Sequence, residues 1–453
     1  MTDQEFERWL ESPSERRVML IEMDHGGGTV QIADQPYLAP MGDDLADPTY
    51  LDVLSEAVGI STRVDGLIEY GDLTLIDDGS ITPWLHYAWR GWPVRILLGD
   101  MRWSRHDFRP LAVATNQGVQ SGRAGRIVMR ISDSSALLDD PIDTGSLPDD
   151  AGPVPLVLGR VFNAPTYRVS TQTLRYAVSY LPLQSLYARD IGNIVPRTAH
   201  LADGEMTLDN APGNQSDITA APIESHDTPL EIVQWVAARY GREVAPTTSL
   251  PSVRVGLQSS NEISGAQILD ALADTLGAGW MIDALDRIDM RVLTAPTGAA
   301  EITLEPDDVQ DATLQLDEIV PPWASLTLRW GRNYAPLNNV AAIVDQNDPA
   351  LAARLRQEWR ETSRSQSLPD YPLAEAVTLD TLMQDAGEVA TECERRLAYH
   401  SVPREHWRVT TYRPTVALYQ SIIVNVGTVA GRLGRVTAVR QLAGGKAEVE
   451  FVL

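Results

Sequence analysis

Runs of apolar and polar residues alternating with a period of two recur along this chain, which predicts strands. Residues 4–12 have the spacing of one short helix ending at Pro13. Residues 17–23 and 29–33 are β-like runs joined by His25-Gly26-Gly27-Gly28, the pattern of a hairpin. A phosphate-cradling loop would need a helix after the glycines, and a strand-like run follows instead. Residues 59–76 are extended in character, Asp78-Gly79 marks a turn, and 94–98, 112–115 and 126–131 read as further strands. The acidic turn Asp139-Asp140-Pro141 closes the block. Residues 15–140 are therefore expected to form one β-rich, barrel-like domain.

Residues 143–155 are a Pro/Gly/Asp linker leading into the stretch 152–190. There an apolar run, 156–158, precedes Gly159-Arg160-Val161-Phe162-Asn163, and a second extended segment spans 173–180. The stretch carries no acid/base, metal or nucleophile constellation, and reads as a fixed joint. Val161-Phe162-Asn163 should then be buried. Residues 200–226 show little periodicity and are expected to be an extended loop. The period changes at Thr228-Pro229-Leu230-Glu231, which combines a capping box with proline in the first turn. Leu230, Val233, Ala237 and Tyr240 would share a face, and Gly241 would end the helix. A strand at 253–257 follows, then a second helix opened by Ser264 and closed by Gly277, and a hairpin of 280–282 with 288–292 around Asp286. Beyond it, strands are expected at 312–316 and 325–330, a loop at 333–339, a short helix at 349–359 and a longer one at 380–401. Leu382, Ala386, Val389, Cys393, Leu397 and His400 form the apolar stripe of the longer helix. The end is all β: 407–412, 421–426, then 434–441 and 446–453 flanking Ala443-Gly444-Gly445.

The pattern thus predicts a mainly β, multidomain protein with α+β insertions. The expected units are an N-terminal β-rich domain, 1–142, and a connector with extended segments, 143–222. A small α/β module, 223–300, and a C-terminal β-rich, barrel-like domain, 301–453, follow. A length of 453 residues suits this division.

Charge adds one constraint. There are 62 acidic residues against 37 Lys and Arg, a formal net charge of −25. The basic footprint of a nucleic-acid binder is absent, and strong acidity repels polyanions while favouring solubility. Lys446 is the only lysine. Cys393 is the only cysteine, so no internal disulfide forms, and its helical neighbours Val389 and Leu397 place it in a core. The first residues lack the apolar segment of a secretory signal, and no run of about 18 apolar residues predicts a membrane span. Synthesis and assembly in a cytoplasm are the expectation.

Candidate chemistry is sparse. The seven histidines are scattered, and His400 and His406 lie too far apart for a helical zinc pair. The acidic pairs Asp43-Asp44, Asp77-Asp78, Asp139-Asp140, Asp149-Asp150 and Asp307-Asp308 mostly sit beside Gly or Pro, so turn formation accounts for them. Trp84, Trp89, Trp92 and Trp103 crowd one segment together with several arginines, the composition of protein–protein contacts. They also suit sugar stacking. No catalytic, cofactor-binding or metal residue is assigned, and no cofactor is implied.

Several stretches resemble one family. These are Val18-Met19-Leu20-Ile21-Glu22-Met23, Trp84-Leu85, Arg90-Gly91-Trp92-Pro93-Val94 and Asp107-Phe108-Arg109. The joint Pro155-Leu156-Val157-Leu158-Gly159-Arg160-Val161-Phe162-Asn163, the run from Thr378-Leu379 to Arg395-Arg396-Leu397, and Pro403-Arg404 continue the series in order. The chain resembles tail proteins of long-tailed bacteriophages, chiefly siphophages and transposable phages with flexible tails. The resemblance implies a structural baseplate or tail-tip hub with two tube-like β-barrel domains, and not an enzyme. Three copies would match a sixfold tail tube above to a threefold tip below. The implied partners are the chain itself as a homotrimer, distal tail or tail tube proteins, the tape measure protein, and tail-tip or central fibre proteins. DNA would pass during ejection without sequence-specific binding. The implied location is the virion tail tip, after assembly in the host cytoplasm. The competing readings are a tail-associated cell-wall hydrolase and a glycan-binding module, both resting on the tryptophan segment.

Overall fold

The computed structural model describes residues 2–453 except 13–14, 42, 44–48, 56–59, 65–67, 123–124, 171, 214–217, 284 and 443–445. Helix α1, Asp3–Glu11, starts in a capping box in which Thr2 Oγ1 accepts from Glu5 N–H and the Glu5 carboxylate accepts from Thr2 N–H. Its Trp9 packs on Trp103, with ring centroids 4.4 Å apart, and donates from Nε1 to Asp100 Oδ2 at 3.2 Å.

The strand Arg17–His25 pairs with Gly28–Ala33 in the expected hairpin, and on its other edge with Pro93–Asp100. Strands Arg109–Ser121, Arg126–Asp133 and Leu73–Ile76 extend the sheet in that order. On the opposite side Gly28–Ala33 takes Thr49–Asp52 in parallel. The chain leaving Thr49–Asp52 then reaches the far edge. Ile76 N–H donates to Val53 O at 2.7 Å, Ser55 N–H donates to Thr74 O at 2.7 Å, and Leu54 bridges Leu75. The sheet closes into a barrel. Alternation along each strand puts Ile21, Met23, Ile32, Leu75, Ile96, Ile127 and Met129 inside, all buried. Trp84 and Trp89 join this core, and Trp89 Nε1 donates to Trp84 O at 2.7 Å.

The C-terminal sheet runs in the order Ile302–Leu304, Ser421–Val424, Leu433–Leu442, Lys446–Val452, Arg404–Thr411, Gln315–Val320. Val309, just past the first of these strands, bridges Thr411, so this sheet also curls back on itself. Its core holds Leu304, Val409, Ile422, Val436, Val449 and Phe451. The hairpin residues Ala443-Gly444-Gly445 lie outside the described residues, and the strands beside them pair from Arg435↔Val452 to Leu442↔Lys446. One strand of this sheet is supplied from far away in sequence. Ile60–Arg63 pairs antiparallel with Leu433–Leu442, from Ile60↔Gln441 to Arg63↔Ala438, and with Ile68–Tyr70 on its other side. The first third of the chain thus completes the last domain.

Between the barrels, residues 164–224 build two four-stranded sheets around Tyr176, Val178, Leu186, Ala188, Met206, Leu208 and Ala220. The loop expected at 200–226 is incorrect: Glu205–Leu208 and Ile218–Glu224 are strands, and the second is central to its sheet. Ile218–Glu224 is buried on both faces for much of its length, and the small Ala220 and Ala221 erase the alternation that would have marked it.

The α/β module forms as patterned, with α2 at Pro229–Arg239, α3 at Gly265–Leu276, and a hairpin of Ala278–Ile282 with Ile288–Val292. Gly277 ends α3 in the left-handed conformation. The inward face of α2 is Ile232, Val233, Val236 and Ala237, whereas Leu230 is exposed. The expected strand at 253–257 is shifted to Gly256–Ser259, where it pairs with Leu156–Gly159.

In the last third, strand Ser325–Trp330 lies between Arg360–Ser365 and Ala376–Asp380. The helix expected at 349–359 is α5, Pro349–Arg356, and the pattern did not mark α4, Ala342–Asn347, just before it. The strand expected at 312–316 lies at Gln315–Val320. The longer helix is shorter than expected: α6 spans Ala386–Tyr399, because Asp385 caps it by accepting from Gly387 and Glu388 N–H. Leu382 therefore lies off the stripe, while Val389, Cys393 and Leu397 pack against Leu326 and Leu328. Arg360–Ser365, sequence RETSRS, offers no apolar alternation and escaped the pattern.

Trp89→Ala is expected to lower stability by about 3–5 kcal/mol, the cost of emptying a large buried site. Trp92→Ala, at a surface position, should stay within about 0.5 kcal/mol. Denaturant titration followed by circular dichroism compares the two. Equal losses would contradict the assignment of Trp89 to the barrel core.

Candidate assembly framework and surface cleft

Three places concentrate buried polar groups or concave surface. The first is the joint that begins at Leu156–Gly159. Gly159 has φ +69°, and a Cβ there would stand 2.3 Å from Val255 O, so glycine is required. Gly159 N–H donates to the Glu224 carboxylate at 3.2 Å. Glu224 is almost fully buried and also accepts from His226 N–H at 2.9 Å. Asn163 follows with φ 54° and no exposure. Asparagine tolerates that conformation better than most residues. Its Nδ2 donates to Asn333 Oδ1 at 2.9 Å and to Ala335 O at 2.6 Å. Asn333, also fully buried, donates from Nδ2 to Leu355 O at 2.8 Å and Gln357 O at 3.1 Å. Val161 is buried and Phe162 half-buried, so the expected burial of the joint holds within the chain itself.

The second is an ion cluster on the N-terminal barrel. Buried Glu22 accepts from Tyr50 Oη at 2.7 Å and pairs with Arg95 and Arg105. Burial pushes its carboxyl up, but Arg105, Tyr50 and Arg95 outweigh this and hold it below the usual range. Nearby, the Arg102 guanidinium draws Asp100 down to about 2.

The third is a cleft of about 650 Å³ where the C-terminal ends of α3 and α6 meet the Arg404–Thr411 strand. Its arginines already serve the helix ends. Arg395 donates to Leu276 O at 2.7 Å, Arg396 donates to Asp274 O at 2.8 Å, and both pair with Glu392. These contacts satisfy carbonyls that a helix C-terminus leaves open. His400 stacks on Trp323 with centroids 3.5 Å apart. Burial, with Arg404, Arg396 and Arg395 adding to it, pushes His400 down to about 4.

The features weighed for chemistry fall apart from one another. His25 stacks on Tyr87, His226 bonds Glu224 and His200 meets Thr207. Among the described residues no three His, Cys, Asp or Glu side chains group as a metal site. Asp77 and Asp78 accept from Gly79 and Ser80 N–H, the turn role expected of them. Asp44 lies outside the described residues. Of the four clustered tryptophans, Trp84 and Trp89 are in the core, Trp103 packs on Trp9, and Trp92 is exposed. They form no open stacking platform.

No protein-family model matches the chain, and no curated protein does. Among solved structures it is similar, along nearly its whole length, to three tail proteins, two of them from prophages. With the 43 kDa tail protein of prophage MuSo2 from Shewanella oneidensis it shares 11% identity over 97% of this chain and 98% of that one, at a TM-score of 0.48. With the tail protein from Neisseria meningitidis MC58 the values are 9%, 96%, 96% and 0.47. With prophage tail protein gp18 from Listeria monocytogenes EGD-e they are 8%, 96%, 94% and 0.46.

Asn333→Ala is expected to cost about 1–3 kcal/mol by stranding buried partners, and Asn163→Ala a similar amount. Because the two amides bond each other, the double variant should lose less than the sum, which a double-mutant cycle in urea measures. A strictly additive result would refute the coupling. The His400 ring is held neutral in the folded chain, so its contribution is complete above its ordinary 6.5 and lost as pH falls toward about 4. Urea midpoints between those pH values should fall more steeply for the native chain than for His400→Phe; parallel profiles would count against it.

Proposed function

We propose that this chain is a structural component of a phage tail tip, acting as the hub that adapts a sixfold tube to a threefold tip. The observation that carries this is the presence of two curled, barrel-like sheets in one chain, tied together by the strand Ile60–Arg63. Each barrel buries its own apolar interior. The outward surfaces are thereby left for contacts between subunits. Three such chains would present six barrels, the number a sixfold tube matches, and head-to-tail contacts between them form a ring where the rotation closes. The sequence motifs at 18–23, 155–163 and 378–397 resemble the same class of protein, and they lie in the barrel, the joint and the unit containing α6.

The net charge of −25 suits a channel through which DNA passes without being held. The partners proposed on this reading are two further copies, tail tube or distal tail proteins above, the tape measure protein, and tip or fibre proteins below. The domains proposed are 1–142, 143–222, 223–300 and 301–453, with residues 60–63 of the first pairing into the sheet of the last. A glycan-binding or hydrolytic role draws no support from the tryptophan segment, because two of its four rings are core.

Sedimentation of the purified chain, alone and with tail tube protein, tests the hub reading. The expected outcome is a trimer, or a ring that forms on the tube end. A chain that stays monomeric and ignores the tube would overturn it. Non-specific DNA retention at physiological salt would contradict the proposed channel lining.

A further inference from the structure

The cleft at the ends of α3 and α6 has an open strand edge in its wall. Thr378, Leu379 and Asp380 line it, and they belong to strand Ala376–Asp380. That strand pairs in parallel with Ser325–Trp330 on one side and with no strand on the other among the described residues. The ladder fixes the direction of each backbone group. Glu375 O accepts from Ala324 N–H at 2.8 Å, and Thr381 N–H donates to Arg329 O at 2.8 Å. Backbone groups of successive strand residues point to opposite edges, so Val377 and Leu379 turn theirs toward Ser325–Trp330 as well. The N–H and C=O groups of Ala376, Thr378 and Asp380 therefore point outward, and all three residues are exposed. Lysine, proline or a bulge commonly blocks such an edge, and this strand has none of them. Its one charge, Asp380, is paired with Arg329.

The cleft is concave as well as open-edged. Its volume of about 650 Å³ lies within the range of pockets that hold ligands. Leu293, Val320, Trp323 and Leu379 give it apolar walls, which suit the alternate side chains of an added strand.

Charge selects the occupant. Arg329, Arg395, Arg396 and Arg404 line the cleft against two acids, Asp274 and Asp380. This local excess of cations stands in a chain where acids outnumber Lys and Arg by 62 to 37. Arg395 and Arg396 are held by Glu392 and the α3 carbonyls, and Arg329 by Asp380. Arg404 differs. Its Nε donates to Tyr399 O at 2.9 Å and its guanidinium lies 4.3 Å from the Tyr399 ring centroid, but it forms no ion pair among the described residues. A carboxylate arriving beside it gains a charge-assisted hydrogen bond.

We propose that this cleft takes an extended acidic segment of a partner protein, which adds as a strand to the Ala376–Asp380 edge and sets a carboxylate on Arg404. Main-chain bonds to Ala376, Thr378 and Asp380 supply the attachment, and the arginines select the charge. The inference goes beyond the hub reading, since the groove belongs to one chain and works whether or not three copies close a ring.

The test is fluorescence anisotropy of the full-length chain with two labelled peptides, one alternating valine with glutamate and the other valine with lysine. The glutamate peptide should bind at least about tenfold more tightly. Thr378→Pro removes an outward N–H and no bond of the sheet, and Arg404→Gln removes the charge. Each should weaken binding of the glutamate peptide at least about tenfold while circular dichroism stays native. Absence of binding, equal binding of the two peptides, or binding unchanged by Thr378→Pro would overturn the proposal. So would self-association of the chain that Thr378→Pro abolishes while neither peptide binds, because the groove would then belong to a second copy.

Discussion

The fold depends on the buried amide pair Asn163 and Asn333. Their side chains close hydrogen bonds between segments 170 residues apart in sequence. Asn163 ends the joint that starts at Gly159, and Asn333 satisfies carbonyls at the C-terminal end of α5, those of Leu355 and Gln357. Neither is exposed, so each polar atom left open there costs more than a surface bond contributes. The same joint reaches Glu224 through Gly159 and the α/β module through the pairing with Gly256–Ser259. Three units are thereby fixed to one short segment. That is how several modest domains are tied to one another.

The second constraint is the exchange of strand Ile60–Arg63 into the C-terminal sheet. It links the two barrels covalently and by backbone hydrogen bonds. Buried ion pairs are local to one element or unit: Glu22 with Arg105 in the N-terminal barrel, and Glu392 with Arg396 within α6.

Much of the architecture was legible in the sequence because strands that face solvent on one side alternate. The hairpins at 17–33 and 278–292 and the capped helices α2 and α3 follow from period, turn and cap residues. What the pattern hid has physical reasons. Ile218–Glu224 is covered on both faces and built with alanines, so it shows no alternation. Arg360–Ser365 pairs through its backbone while offering only polar side chains. Asp385 stops α6 where periodicity alone would extend it. The strand exchange at 60–63 is invisible because pairing partners carry no local mark. The open edge at Ala376–Asp380 was likewise hidden, since whether a strand has a second neighbour is a property of three dimensions. The tryptophan cluster misled in the opposite sense: adjacency in sequence suggested a surface, and the barrel drew two of the rings inside.

Electron microscopy of the assembled particle, with this chain carrying a bulky tag in an exposed loop, tests the central claim most directly. The account predicts three tags around the axis at the tail tip, at the level where the sixfold tube ends. Tags distributed along the tail, on the capsid, or absent from the particle would contradict it.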